Sequence, residues 1–345
     1  MISKRTPIVE GRDVSKTFAV RRGFFGASRQ LRAVDGVSLA VDEGETVALV
    51  GESGSGKSTL GRLLLGLTPP SHGEVAYRGA PLEGLRGDAR RRFRRDVQVV
   101  FQDSGASLNP RRSVGSSVEV PLRYGLGLGR EAARRQAAAL FERVGLAPET
   151  YLRRFPHELS GGQRQRVGIA RAIASQPHFV VADEPVAALD VSVRAQILKL
   201  LQSIQEDTGL AYLFITHDLG VVRAIADRVL VMYLGVIVEA GPVEPLFRAP
   251  GHPYTRALLE ATPVPDPARR NTRPDPLHGD IPSPLAPPPG CRFHTRCPIA
   301  QDVCRRVEPP AVPFPDGVVA ACHFATEVRQ GVTASGPATA PSAAL

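Results

Sequence analysis

Four short apolar runs in this chain each end on a residue suited to phosphate chemistry. Residues 47–50 lead into Gly51, residues 97–101 into Gln102, residues 179–182 into Asp183-Glu184, and residues 212–216 into His217. Largely apolar runs of this length read as strands covered on both faces, as in a parallel sheet. Ligands of open parallel α/β sheets bind beyond the carboxyl ends of the strands. The pattern therefore predicts an α/β fold in which these four ends converge on one site. Residues 8–50 read as short strands and turns, and residues 74–77 as another strand. Helices are expected over 60–67, stopped before Pro69-Pro70, and over 131–144, which are rich in helix formers and end at Gly145. Residues 163–175 and 191–206 have helical character as well.

Beyond residue 261 the texture changes. Prolines are so dense over 262–290 that the segment reads as an extended linker. A cysteine-containing stretch follows over 291–324. Residues 325–345 are mostly small or polar towards their end and are expected to be disordered. At 345 residues the chain exceeds one ordinary core, so a large domain over 8–261 with a small C-terminal extension is the natural division. No apolar run approaches the roughly 20 residues of a membrane span. The N-terminal Met1-Ile2-Ser3-Lys4-Arg5 lacks the apolar core of a secretory signal, so a cytosolic setting is expected.

The net charge of +9 raises the question of nucleic acid. Lysine, however, occurs only at positions 4, 16, 57 and 199, and the arginines are spread along the chain. The densest group, Arg90-Arg91-Arg92-Phe93-Arg94-Arg95, has a single aromatic and no stacking pattern. It reads as a solvated helix face or a contact with an anionic membrane surface, with no nucleic-acid partner.

Gly51-Glu52-Ser53-Gly54-Ser55-Gly56-Lys57-Ser58-Thr59 satisfies G-x-x-x-x-G-K-[ST] directly after a strand-like run. Its glycines let backbone N–H groups turn inward around phosphates, and the helix beginning near Lys57 aims its positive end at them. Lys57 is expected to reach the β- and γ-phosphates and Ser58 to ligate Mg²⁺. Asp183 at the tip of the 179–182 run is placed to hold the same metal. Glu184 beside it is the candidate to polarise the attacking water.

These motifs occur in order with Leu159-Ser160-Gly161-Gly162-Gln163, Ala188-Leu189-Asp190 and His217. Together they resemble the nucleotide-binding subunit of an ATP-binding cassette (ABC) transporter, over roughly residues 8–261. The resemblance implies a RecA-like phosphate-loop core with β-rich and helical subdomains, and ATP with Mg²⁺ as ligands. It implies Gln102 as the Q-loop residue on the metal or the water, His217 as the switch histidine on the γ-phosphate, and Asp190 as part of the D-loop. Phe18 fits the aromatic that stacks on adenine, although it could equally be core. Cassettes of this family pair head to tail, so that Ser160, Gly161, Gly162 and Gln163 of one meet the ATP held by the other. Two departures stand out: Ala187 where relatives usually have serine, and Ser104 where they often have proline.

Further segments narrow the branch. Gly251-His252-Pro253-Tyr254-Thr255-Arg256, Gly279-Asp280-Ile281-Pro282-Ser283-Pro284 and Gly290-Cys291-Arg292-Phe293-His294-Thr295-Arg296-Cys297-Pro298 are similar to the C-terminal extension of the oligopeptide/dipeptide (and nickel) importer ATPases. This implies import of di- or oligopeptides, or of nickel or another small solute, at the cytoplasmic face of the inner membrane. The implied partners are a second cassette (identical or homologous), two transmembrane permease subunits and an extracytoplasmic peptide-binding protein. A soluble ABC ATPase acting on nucleic acid is the alternative class, but it usually carries insertions or a second cassette that this chain lacks. All four cysteines, Cys291, Cys297, Cys304 and Cys322, lie in the extension. Clustered cysteines in a cytosolic protein suggest metal ligands. The resemblance favours a [4Fe–4S] cluster over Zn²⁺, with four reduced thiols in a packed tail as the alternative.

Overall fold

The computed structural model describes residues 7–21, 28–102, 108–262 and 279–331. In the smaller of two sheets, β1 (Val9–Arg21) pairs antiparallel with β2 (Ser28–Val41) and with β4 (His72–Tyr77), which β5 (Ala80–Pro81) extends. In the larger, β3 (Thr46–Val50) lies parallel between β8 (Ala211–Thr216) and β9 (Arg228–Tyr233). β7 (Phe179–Asp183) follows β8, and β6 (Val97–Val100) forms the edge, both parallel. The four runs singled out in the sequence are thus the neighbours β3-β8-β7-β6, and their carboxyl ends do lie side by side.

The first two strands over residues 8–50 are long rather than short, with 13 residues in β1 and 14 in β2. β1 and β2 form one ribbon whose register shifts between Gly11 and Val14, between Val14 and Lys16, and between Lys16 and Thr17. Each bulge resets the in–out alternation, which is why the period-2 signal looks fragmented in the sequence.

β3 joins two cores through the alternation of its side chains. Val47 and Leu49 pack with Val37, Leu60, Leu64 and Leu213 beneath the small sheet. Ala48 and Val50 face the opposite core, with Val231, Tyr254 and Phe293. A third core joins the helices Val114–Gly125, Arg130–Arg143 and Gly161–Ile173 through Leu122, Phe141 and Val167. The helix Gly87–Asp96 buries Phe93 edge-on to Tyr77 and turns most of its arginines to solvent. None of the helices among the described residues is long and apolar enough to cross a membrane.

The extension completes the larger sheet. β10 (Val236–Pro242) turns back antiparallel on β9, and β12 (Val319–Ala321) pairs with β10, followed outward by β11 (Ala311–Pro313). The backbones come so close there that a Cβ on Gly241 would lie 2.9 Å from the Val318 Cα. The packed chain also continues past residue 325, where the sequence suggested a disordered tail. Ala325–Arg329 is a short helix, and its i,i+3 pair Ala325 and Val328 is buried against Ala320 and Cys322. Residues 103–107, which include Ser104, most of the proline-rich segment (263–278) and residues 332–345 lie outside the described residues.

Phe293 is fully buried against Tyr233, Tyr254 and His252, so the extension shares a core with the cassette. Phe293→Ala is expected to cost about 3–5 kcal/mol, the usual range for a buried phenylalanine. In urea unfolding followed by intrinsic fluorescence and circular dichroism, the whole cassette should be destabilised. Loss of an isolated early transition, with the cassette unaffected, would show that the two parts fold separately.

Candidate functional site

A cavity of about 770 Å³ opens at the carboxyl end of the parallel strands. One wall is the edge of the small sheet, with Phe18, Leu31 and Ala33. The floor is Ser53, Gly54 and the stretch Gly56–Thr59, and the far wall holds Gln102, Glu184 and His217. Phe18 is 38 % exposed, with the Lys16 ammonium 5.4 Å from its ring centroid. It is therefore a ring at the cavity edge rather than a core residue.

The loop after β3 leaves no room for side chains at two of its glycines. Gly51 has φ +152°, and a Cβ there would lie 2.1 Å from the Met232 carbonyl oxygen. Gly56 has φ +107°, and its Cβ would meet the Ala33 carbonyl oxygen at the same 2.1 Å. Only glycine tolerates this backbone and approach. The helix Lys57–Leu64 then starts at the cavity, with its first three residues among the lining, where the N–H groups of a first turn have no intrahelical partner. The Lys57 ammonium donates to the carbonyl oxygens of Gly51 (2.7 Å) and Glu52 (2.8 Å). Burial pulls its pKa down, while Glu184, Asp183 and Glu52 oppose the shift.

The acidic pair stands at the tip of β7. The Ser58 hydroxyl donates to Asp183 Oδ1 at 3.1 Å. Desolvation raises the Asp183 pKa, against the Ser58 hydrogen bond. A hydroxyl and a carboxylate side by side beyond parallel strands make a donor set that fits Mg²⁺. Glu184 adopts φ +46°, and its N–H donates to the Ile215 carbonyl of β8 at 2.9 Å. A non-glycine residue in the left-handed region is strained. Here the turn directs the Glu184 carboxylate at two groups on neighbouring strand ends. Gln102 Nε2 donates to its Oε2 at 3.1 Å, and His217 Nδ1 lies 3.5 Å from its Oε1.

Ser160, Gly161, Gly162 and Gln163, together with Asp190, are absent from the lining of this cavity among the described residues. They form a second locus. Ser160 caps the helix Gly161–Ile173, its Oγ accepting from the Gln163 N–H while Gln163 Oε1 accepts from the Ser160 N–H. Asp190 caps the helix Val191–Thr208 by accepting from the Val193 N–H at 2.9 Å. The two caps abut: a Cβ on Gly162 would come 2.6 Å from Val193 Cγ1. Ser160 and Gly161 are exposed, so this helix start presents N–H groups outward.

The four cysteines surround one small cavity with Phe293, Ile299 and Phe324. All are free thiols. Burial pushes Cys297 and Cys322 up to about 12 and also raises Cys291. Among the described residues no group of three or more His, Cys, Asp or Glu is placed to hold a metal ion. His294 Nδ1 and His323 Nε2 face the backbone carbonyls of Cys291 and Val307 instead. The donor geometry does not fit the expected [4Fe–4S] cluster or Zn²⁺. Their spacing suggested ligands, but here the four are free thiols around a small cavity shared with apolar side chains.

Sequence reasoning missed the contacts behind the phosphate loop. Glu52 Oε1 and Oε2 accept a fork from Arg296 at 2.9 and 2.7 Å, and the Glu52 N–H donates to the Tyr254 hydroxyl at 2.8 Å. Both partners lie in segments that the family resemblance singled out, but separations of 244 and 202 residues leave no local signal.

Comparison with known proteins agrees with this geometry. The ABC transporter family model matches residues 34–187, and the model of the oligopeptide/dipeptide transporter C-terminal region matches residues 238–304. The chain is 51 % identical over 311 residues to a probable peptide ABC transporter ATP-binding protein of Sinorhizobium fredii, covering 90 % of this chain and 88 % of that one. It is 47 % identical over 314 residues to the oligopeptide transport ATP-binding protein OppF of Salmonella typhimurium, covering 90 % and 94 %. Among solved structures, a dimeric ATP-binding cassette, MJ0796, in a post-hydrolysis state with ADP and Pi superposes with a TM-score of 0.61 at 32 % identity, over 68 % of this chain and 99 % of that one. The chain belongs to the ABC transporter family, as an ATP-hydrolysing cassette of the branch that carries the oligopeptide/dipeptide transporter C-terminal region.

Proposed function

We propose that this chain is the ATP-hydrolysing subunit of a di- or oligopeptide importer, closing head to tail on a second cassette at the cytoplasmic face of the inner membrane. The observation that carries the reading is the separation of two complementary loci. The cavity around Lys57 is open on one side, while the exposed helix start at Ser160, an anion-binding type of terminus, is not part of that cavity's lining among the described residues. ATP shared between the loci of two polypeptides accounts for both. The dimeric relative bound to ADP and Pi is consistent with such pairing, and the names of the relatives support peptide as cargo.

Each residue then has a task. The Gly51–Thr59 loop and Lys57 hold the triphosphate, Phe18 covers the base, and the Ser160–Gln163 segment closes on the γ-phosphate from the opposite cassette. Ser58, Asp183 and Gln102 would hold Mg²⁺, which when bound neutralises charge on the phosphates. Glu184 takes the proton of the attacking water and His217 positions the γ-phosphate. Asp190 fixes the seam beside Val193. When the γ-phosphate leaves, the bridge between cassettes is lost and they separate. Two permease subunits would read that motion, and an extracytoplasmic binding protein would deliver the peptide.

Two substitutions test this. Glu184→Gln should retain ATP binding, lower hydrolysis by at least about 10²-fold as expected for loss of a general base, and accumulate an ATP-dependent dimer on size exclusion. Near-normal turnover would contradict the role of Glu184. Lys57→Ala should weaken ATP binding itself, measured by titration with a fluorescent ATP analogue. Unchanged affinity would mean that the loop is not the cradle.

A further inference from the structure

The C-terminal extension reaches back to the nucleotide cavity at three points. Pro284 lines the cavity itself. Arg292 donates to the Leu234 carbonyl and to the Asp35 carboxylate, two residues from the cavity-lining Ala33. Arg296 grips Glu52 inside the phosphate loop through both terminal guanidinium nitrogens, with its own side chain 5 % exposed and that of Glu52 24 % exposed. Both arginines lie between Cys291 and Cys297, so one loop of the extension holds both sides of the cradle.

The Arg296–Glu52 fork is connected directly to the phosphate-binding lysine. The Glu52 carbonyl accepts from Lys57 Nζ at 2.8 Å and from the Ser55 N–H at 3.2 Å. The Glu52 amide is held from behind by the Tyr254 hydroxyl at 2.8 Å. The position of Glu52 therefore sets where Lys57 rests and how the loop turns. Its carboxylate is also a negative charge beside the place where a triphosphate would bind, and Arg296 neutralises it with a bidentate pair, the strongest geometry for such a contact.

We propose that Arg296 is a positioning residue for the nucleotide site, acting through Glu52, so that the extension is part of the ATP-binding machinery and not only a neighbour of it. The inference rests on the phosphate-cradle reading above and extends it from the cassette to the extension. An arginine that only held the extension in place would affect stability. One that shapes the loop and cancels the Glu52 charge affects ATP affinity, and that effect passes through Glu52.

The test uses the full chain, with binding of a fluorescent ATP analogue, steady-state KM and kcat for MgATP, and thermal unfolding of each variant. Arg296→Gln should weaken nucleotide binding and raise the ATP KM by about fivefold or more, the lower range for coupling between sites, with kcat little changed. In a Glu52→Gln background the same change should alter affinity by less than about twofold, because the carboxylate it left unpaired is gone. If Arg296→Gln does not fold, Arg296→Lys carries the test: lysine keeps the charge but lacks the planar fork, and the KM should rise by about threefold. Unchanged ATP affinity in whichever variant folds, with only the melting temperature lowered, would overturn the proposal. So would an equal loss of affinity with and without the Glu52 carboxylate. Lys57→Ala separates the two readings: if it weakens binding while Arg296→Gln does not, only the role of the extension fails.

Discussion

The structure depends on a backbone constraint at one turn. The chain leaving β3 must pass within contact of the Met232 and Ala33 carbonyls while turning its N–H groups inward, and glycines at 51 and 56 are what permit it. With that turn made, Lys57 is drawn into a buried position where its ammonium donates to the Gly51 and Glu52 carbonyls, with the Glu184, Asp183 and Glu52 carboxylates near enough to favour its charge. A buried ammonium with carbonyl partners and nearby carboxylates is poised for a polyanion. Everything else in the site is arranged around that cation: Ser58 and Asp183 beside it, and Glu184 at a strained turn on the next strand end but one.

Strand order explains why such distant residues meet. β3, β8, β7 and β6 are parallel neighbours, so groups from four segments spread over residues 51–217 emerge at one edge. The same order explains what does not meet. The Ser160 helix start belongs to the helical core built on Leu122, Phe141 and Val167, and it faces outward beside the Asp190 cap. Among the described residues, one polypeptide thus carries the cradle and the Ser160 helix start apart from each other, and the proposed control of pairing by nucleotide rests on that arrangement.

Much of this was legible in the sequence because it is local. The glycine spacing of the phosphate loop, the acidic pair after residues 179–182 and the capping pattern of Ser160 with Gln163 are each contained within a few residues. The convergence of strand ends followed from apolar runs that terminate in polar groups. What the sequence concealed is non-local or irregular. Bulges broke the alternation of β1, so a long ribbon read as fragments. β12 has only three residues and is recognisable only through its pairing with β10 and β11. The grip of Arg296 on Glu52 joins positions 244 apart, and the cysteine spacing suggested a metal site where side-chain packing places two buried and two half-buried free thiols.

The central claim is that each ATP is held by two polypeptides. The direct measurement is a structure of the ATP-loaded transporter assembly containing this chain. The account predicts that the triphosphate cradled by Lys57 is touched by the signature segment of a second cassette, and that Ser160 of this chain touches the triphosphate cradled by that cassette. A nucleotide-loaded assembly in which Ser160 contacts no nucleotide, and the ligand at Lys57 is bound by this chain alone, would contradict it.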